Sequence, residues 1–432
     1  MCLPLGNRGR TADMGVWTCG QNCYGELSHG DTVSRNVPSR VEALGGTEVA
    51  QIAAGNEHTV VLTMAGEVMS SGYNDNGQCG HGNSGRAGEL ALVEALSGQR
   101  VVQIHAYNGC EHTLVVTADG ALHSFGYNYR GQLGHGGTVS SFTPRLVRGL
   151  EGRRVTSVAC SYYHTVVVCS RGDAFSFGRN DFGQLGLGDG VDRKEPARIA
   201  ADSLRQGGGV VSVACGQYHT LLITATNSVV GCGKNDYGQL GIDSPDCQRR
   251  PTVVPMPWVA TVASRDPMGV VDATDPVVED SVSADGHRVD GAKRWRVVRV
   301  ACGYYHTLVL CRDDSHALAS VPASRPGTAV FSVGRNDYGQ LGLGHTSQKV
   351  FRLRRVHELG NKGVTNVSSG CYHSLAICEG GSVYVFGRNN HGQLGTGDTA
   401  ERHVPWLLKS PFGNSQSKYV RGVAAGTRRT PN

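Results

Sequence analysis

The chain has 432 residues, of which 61 are glycine and 15 proline, and 39% are hydrophobic. That share is enough to build a core, and without a G-X-Y period the glycines point to many tight turns, so a disordered or collagen-like chain is excluded. The formal net charge of +5 falls short of the clustered excess of a dedicated nucleic-acid binder, and no segment has the apolar length of a signal peptide or a membrane span.

The first predicted element runs from Thr11-Ala12-Asp13 to Gly20 and matches Thr117-Ala118-Asp119 to Gly126, so the N-terminus supplies the second half of a repeat. From Gly20 onward one motif recurs, G-x-N-x-x-G-[QE]-L-G-x-G, beginning at Gly20, Gly72, Gly126, Gly178, Gly233, Gly334 and Gly387. The steps are 52, 54, 52, 55, 101 and 53 residues. The first copy is worn, with Glu26 and Ser28, and the second carries Cys79 in place of leucine. Periods of this length mark a repeat architecture.

A second motif follows, an apolar run ending in G-x-x-H-[TS], with His58, His112, His164, His219, His306 and His373. The residues after each histidine are β-branched or leucine, as in H-T-V-V-V-C at 164–169, which reads as a strand. Each unit then has four strands: A (V-A-C), B (after His-Thr), C (before G-x-N) and D (around P-x-x-V). The sequence predicts one all-β domain over 1–432, a seven-bladed β-propeller of four-stranded blades with one blade shared by the N- and C-termini.

Several residue roles follow from chemistry. The motif asparagines, Asn22 to Asn389, suit tight turns, because asparagine tolerates positive φ and can bond its own local backbone. Leu133, Leu185, Leu240, Leu341 and Leu394 plug the space between blades. The His-Thr pairs satisfy buried backbone groups, as an all-β core requires. Placed around a ring, the histidines stand too far apart for one metal ion. Among the fourteen cysteines, Cys160, Cys215 and Cys302 end strand A, and Cys169, Cys311 and Cys378 end strand B. They read as small apolar core residues in a reducing compartment, not as a disulfide framework.

Two segments break the period, near 259–293 and near 312–327, and both read as surface insertions. A–B turns and G-x-N loops open on one face, and B–C turns and D–A crossovers on the other. Both insertions therefore emerge on the second face. Lys293, Arg294, Arg296 and Arg299 flank the larger one and read as a solvated strand edge. At the C-terminus, Val423 to Gly426 supplies strand A of the shared blade. Arg429-Thr430 stands where His-Thr belongs and the sequence ends at Asn432, which reads as truncation before strand B.

On the first face, Tyr163, Tyr218, Tyr305 and Tyr372 precede the histidines in four successive repeats. Phe182, Tyr237 and Tyr338 come from the G-x-N loops, and Arg179, Lys234, Arg335 and Arg388 follow their first glycines. Aromatics and arginines on a rim have the composition of an interaction hot spot. The same residues also fit packing between blades, with Asp181, Asp236 and Asp337 pairing the first three cations. No P-loop, nucleophile elbow or zinc pattern is present, so no catalytic residue and no metal ligand is expected.

The paired motifs G-x-N-x-x-G-Q-L-G-x-G and V-A-C-G-x-x-H-T resemble the regulator of chromosome condensation repeat family over about 15–426. The resemblance implies a propeller and leaves function open, because members include an exchange factor for the GTPase Ran, a plant ultraviolet-B photoreceptor and modules of ubiquitin ligases. Exchange in that family relies on a wedge protruding from one N-x-x-G loop, and every such loop here keeps the short form. The photoreceptor relies on G-W-R-H-T repeats, where this chain reads G-Y-Y-H-T at 303–307. The expectation is a non-enzymatic protein-interaction scaffold, with guanine-nucleotide exchange on a Ran-like small GTPase as the alternative. Its partners are other proteins, with weaker support for nucleic acid or chromatin. The expectation also includes no cofactor, no membrane span, a monomer, and a place in the cytoplasm or nucleus.

Overall fold

The six residues from each motif histidine onward are buried, as in His164–Cys169, because the strand lies mid-sheet with a further sheet against each face. The alternation of apolar and polar residues along the flanking strands then sets how the sheets stack. The computed structural model describes residues 2–7, 15–107, 109–258, 295–315, 327–409 and 418–420. Within them, strands A to D follow one another antiparallel in each complete blade. Blade III shows the pattern: Val155–Cys160, His164–Cys169, Ala174–Gly178 and Arg193–Arg198, hydrogen-bonded in that order.

Six sheets carry this complete pattern: blade I over 49–92, II over 101–146, III over 155–198, IV over 210–253, V over 295–355 and VI over 364–407. The expected seventh blade is corrected. The remaining sheet has only two strands of the repeat, Val16–Gly20 and Arg35–Arg40. The chain ends add short pieces to its open edge. The first half of Cys2–Asn7 pairs with Val16–Gly20, and the second half pairs with Lys418–Val420. No residue of Cys2–Asn7 bridges both neighbours, so no continuous ladder crosses the sheet. The physical reason is in the sequence, because neither end segment carries the His-Thr pair or the apolar run that builds strand B elsewhere.

The core lies between blades and forms no single centre. Phe125 and Phe177 are fully buried in one cluster that joins blades I, II and III. Val166 and Val168 meet Leu222 and Val230 between blades III and IV. Truncating one such side chain to alanine costs about 2–5 kcal/mol. The cysteines that end strands A and B are buried free thiols, as their sequence positions indicated. Strand D is the wet edge, with Arg193–Arg198 half exposed and charged, which discourages edge-to-edge pairing.

The insertion near 259–293 lies outside the described residues, as do 316–326 of the second and 421–432, including Val423 to Gly426. Their bases are described. The strands of blade V are the longest in the fold among the described residues, and Trp295 pairs with Asp313. The two insertion points therefore adjoin. Trp295 and Trp258 both pack on Phe331, and Asp314 bridges Arg296 and Arg312 at 2.7 and 3.0 Å. Arg296 is exposed on the edge strand of its sheet, as a solvated edge residue should be, and is also ion-paired there. Among the described residues no helix is long and apolar enough to cross a membrane.

Candidate protein-interaction face

The face is built by the C–D loops, and each loop is organised by its motif asparagine. All seven asparagines are fully buried. In blade III the Asn180 Oδ1 accepts from the Leu185 amide at 3.0 Å, and its Nδ2 donates to the Asp189 carbonyl at 3.1 Å. The same pair of bonds recurs from Asn22 to Asn389. None of these asparagines has positive φ, so that half of the expectation is corrected, while the expected bonding to the local backbone is present in every loop. The side chain braces the loop from inside while glycines take the left-handed positions. Gly178 is one, at φ +103, where a Cβ would stand 2.2 Å from the Tyr163 carbonyl oxygen. That close approach lets the Arg179 amide bond the same carbonyl at 2.9 Å.

Beneath the loops runs a relay between blades. The Nε2 of His58, His112, His164, His219 and His306 lies 3.0, 2.9, 2.9, 3.3 and 3.0 Å from the hydroxyl of Thr113, Thr165, Thr220, Thr307 and Ser374, each on the following blade. Those hydroxyls donate in turn to loop carbonyls of the preceding blade, from Gln78, Gln132, Gln184, Gln239 and Gln340. Since the hydroxyl hydrogen is committed to a carbonyl, each imidazole must donate through Nε2. Burial pushes the pKa of His112, His164, His219 and His306 down to about 3, and that of His58 to about 4. The histidines are therefore neutral structural donors. Among the described residues no group of His, Cys, Asp or Glu could hold a metal ion.

Above this relay the structure brings together all eleven sequence-predicted surface residues in one half-exposed arc. The Arg179 guanidinium sits between Tyr163 and Tyr218, 5.3 and 5.2 Å from their ring centres. Lys234 lies 5.1 Å from Phe182, 5.8 Å from Tyr218 and 5.6 Å from Tyr305. Arg335 lies 5.1 Å from Tyr237 and 5.4 Å from Tyr372, and Arg388 lies 5.0 Å from Tyr338. The rings also meet one another, as Phe182 does Tyr218 at 5.2 Å and Tyr338 does Tyr372 at 5.3 Å. Each tier is worth on the order of 0.5–2 kcal/mol, enough to hold a side chain in place on a wet surface.

The electrostatics differ from tier to tier. Arg179, Lys234 and Arg335 pair with Asp181, Asp236 and Asp337 at 2.5, 3.0 and 2.5 Å. Burial opposes the charge on Arg179 and Arg335, and the adjoining aspartates outweigh it and raise both guanidinium pKa values. Partial burial pushes the Tyr372 phenol up to about 12 and raises those of Tyr305 and Tyr163, so the rings are neutral hydrogen-bonding groups.

The arc changes character across blades I and II. There Tyr73 and Tyr127 replace the cation, and Glu57 and Glu111 replace the tyrosine before histidine. Glu111 is buried and accepts from Asn56 Nδ2 and the Tyr162 hydroxyl, both at 3.0 Å. Sequence reasoning missed Tyr162, Tyr304 and Lys349. Tyr162 packs on Tyr163 at 4.3 Å, Tyr304 on Tyr372 at 5.7 Å, and Lys349 lies 5.6 Å from Tyr237. The doubled tyrosine in S-Y-Y-H and G-Y-Y-H was the available signal for the first two. Lys349 reaches the arc only through the register of strand D.

With this geometry in hand, the similarities to known proteins can be placed. The family model described as the regulator of chromosome condensation (RCC1) repeat matches 15–62, 119–168, 171–223, 329–377 and 380–430. A second model of the same description matches 49–78, 155–184, 210–239, 297–340 and 364–393. The ultraviolet-B receptor UVR8 of Arabidopsis thaliana is 30% identical over 397 residues, covering 91% of this chain and 78% of the receptor. The E3 ubiquitin-protein ligase HERC2 of Homo sapiens is 28% identical over 418 residues, which cover 96% of this chain but 7% of the ligase. In fold, the chain is similar to yeast RCC1 (Prp20) as solved with Kap60, with a TM-score of 0.70 at 18% identity over 95% of this chain and 84% of that one. It is also similar to human WBSCR16, with a TM-score of 0.70 at 21% identity over 93% and 94% of the two chains.

Proposed function

The chain belongs to the regulator of chromosome condensation repeat family, and from that premise we propose that it is a non-enzymatic protein-interaction module whose partner docks on the face of the C–D loops. The observation that carries this reading is the arc of four cation–aromatic tiers. Rigid aromatic rings with arginines and a lysine fixed among them offer contact area whose ordering cost is already met in the free protein.

The second reading, nucleotide exchange on a small GTPase, draws on relatives with regulatory roles. The structure of yeast Prp20 was reported with that protein's binding properties to Gsp1p and histones. Loop geometry favours the scaffold. Gly20, Gly72, Gly126, Gly178, Gly233 and Gly387 each face a strand-D residue the same number of residues further on, so none of these loops protrudes beyond the others.

Release of fluorescent GDP from Ran and related GTPases, with and without the folded protein, separates the two. The scaffold reading predicts no acceleration. Acceleration by orders of magnitude overturns it.

A further inference from the structure

We infer that Arg388 anchors a carboxylate supplied by the docking partner, an Asp or Glu side chain that completes the fourth tier of the arc. The inference rests on the reading of this face as the docking surface.

Three of the four tiers contain their own anion. Asp181, Asp236 and Asp337 each stand two residues after the cation, and they hold Arg179, Lys234 and Arg335 by direct ion pairs. In the fourth loop, Asn390 occupies that place. The Arg388 side chain makes no hydrogen bond or ion pair with a described residue, although its position is fixed. Its guanidinium lies 5.0 Å from the Tyr338 ring centre and 5.8 Å from that of Tyr372. Its backbone is held as in the other tiers, with the amide bonding the Tyr372 carbonyl at 2.9 Å.

A half-buried guanidinium of fixed direction and no counter-ion is a poor arrangement for folding and a good one for recognition. Its planar fork accepts a carboxylate in two parallel hydrogen bonds, and partial desolvation strengthens them. The neighbouring loops show which anion the site is shaped for. In each, a carboxylate sits beside a cation that is itself packed on tyrosine or phenylalanine. A single acidic residue fits this tier better than an acidic tract, because the cations of the other three tiers are already neutralised, and Lys349 beside Tyr237 is a further cation of the arc.

The same comparison supplies the test. Asn390→Asp recreates the self-neutralised tier of its neighbours without removing the arginine. Random dodecapeptides displayed on phage are selected on the wild-type chain, and the recovered peptides are measured by fluorescence anisotropy against variants verified as folded by circular dichroism. The expected result is an Asp or Glu at one recurrent peptide position, with affinity falling about tenfold in both Arg388→Gln and Asn390→Asp. Changing that peptide residue to its amide should cost the same and should be non-additive with Arg388→Gln. Peptides that lose affinity in Tyr237→Ala or Tyr338→Ala but bind Arg388→Gln and Asn390→Asp as tightly as wild type overturn the carboxylate anchor and leave the docking face standing. Recovery of no peptide sensitive to any of these four substitutions overturns both.

Discussion

The Nε2 of His164 in blade III lies 2.9 Å from the Thr220 hydroxyl of blade IV, and that hydroxyl donates to the Gln184 carbonyl of blade III at 2.8 Å. One hydroxyl thus accepts a hydrogen bond from its neighbour's strand and donates one to the same neighbour's loop. The bond pair ties the two blades together and sets the height of the loop that carries Arg179 and Phe182.

Removing that hydroxyl leaves a buried N–H without a partner and a buried carbonyl with only the weak Cys232 thiol donor at 3.5 Å. Thr220→Val should therefore destabilise the chain by about 2–3 kcal/mol, near the upper range for an orphaned buried group. Thr220→Ser keeps the hydroxyl and should cost less than about 1 kcal/mol. Guanidinium unfolding followed by circular dichroism measures both.

Acid should unfold the protein through the five relay histidines and His373, which is buried like them. Their folded pKa values lie near 3 to 4, below the 6.5 of the free side chain, so between those values the unfolded chain binds more protons and stability falls as pH falls. Above pH 6.5 the histidines contribute no pH dependence. Below it each costs about 1.4 kcal/mol per pH unit, and six together cost on the order of 8. A cooperative transition centred at about pH 5 is expected by circular dichroism, well before the folded-state values are reached. A chain still folded at pH 4 contradicts neutral histidines at the relay.

How far the sequence could be read is clearest at these two motifs. Seven asparagines count C–D hairpins and six histidines count complete blades, so the repeat number was right for half the unit and wrong for the whole. The mismatch between the two counts was visible at Arg429-Thr430, and weighting it would have predicted six complete blades. The buried role of His164 was legible, but its partner was not, since Thr220 lies 56 residues away and meets it only once the ring is formed. Asn180 was read by two preferences, for positive φ and for bonding its local backbone. The structure uses only the second, because a buried loop interior rewards two hydrogen bonds more than a turn rewards one backbone angle. The surface arc was legible residue by residue, and the interleaving of cation and ring was not, because it joins loops of neighbouring blades.

Loop bracing gives a third prediction. Asn180→Ala orphans the Leu185 amide and the Asp189 carbonyl. The expected loss is about 3 kcal/mol of stability, together with fast amide exchange across 181–190 that is absent from blade I.

A fourth prediction concerns backbone contact. Gly233 has φ +102, and a Cβ there would lie 2.3 Å from the Tyr218 carbonyl oxygen. Gly233→Ala should break the bond from the Lys234 amide to that carbonyl, now 2.8 Å, and cost about 2–4 kcal/mol by strain and loss of the bond. A thermal melt within 1 °C of wild type would show that the close approach is not required.

The most direct measurement of the central claim is photo-crosslinking from opposite faces of the propeller. p-Benzoylphenylalanine is placed at Tyr338, on the loop arc, or at Met64, an exposed residue of a B–C turn on the other face. Each protein is irradiated in extract from its own source cells, and adducts are identified by mass spectrometry. Docking on the loop face predicts one discrete set of protein adducts from position 338 that is absent from position 64. Discrete adducts from position 64 alone, or the same set from both positions, would contradict it.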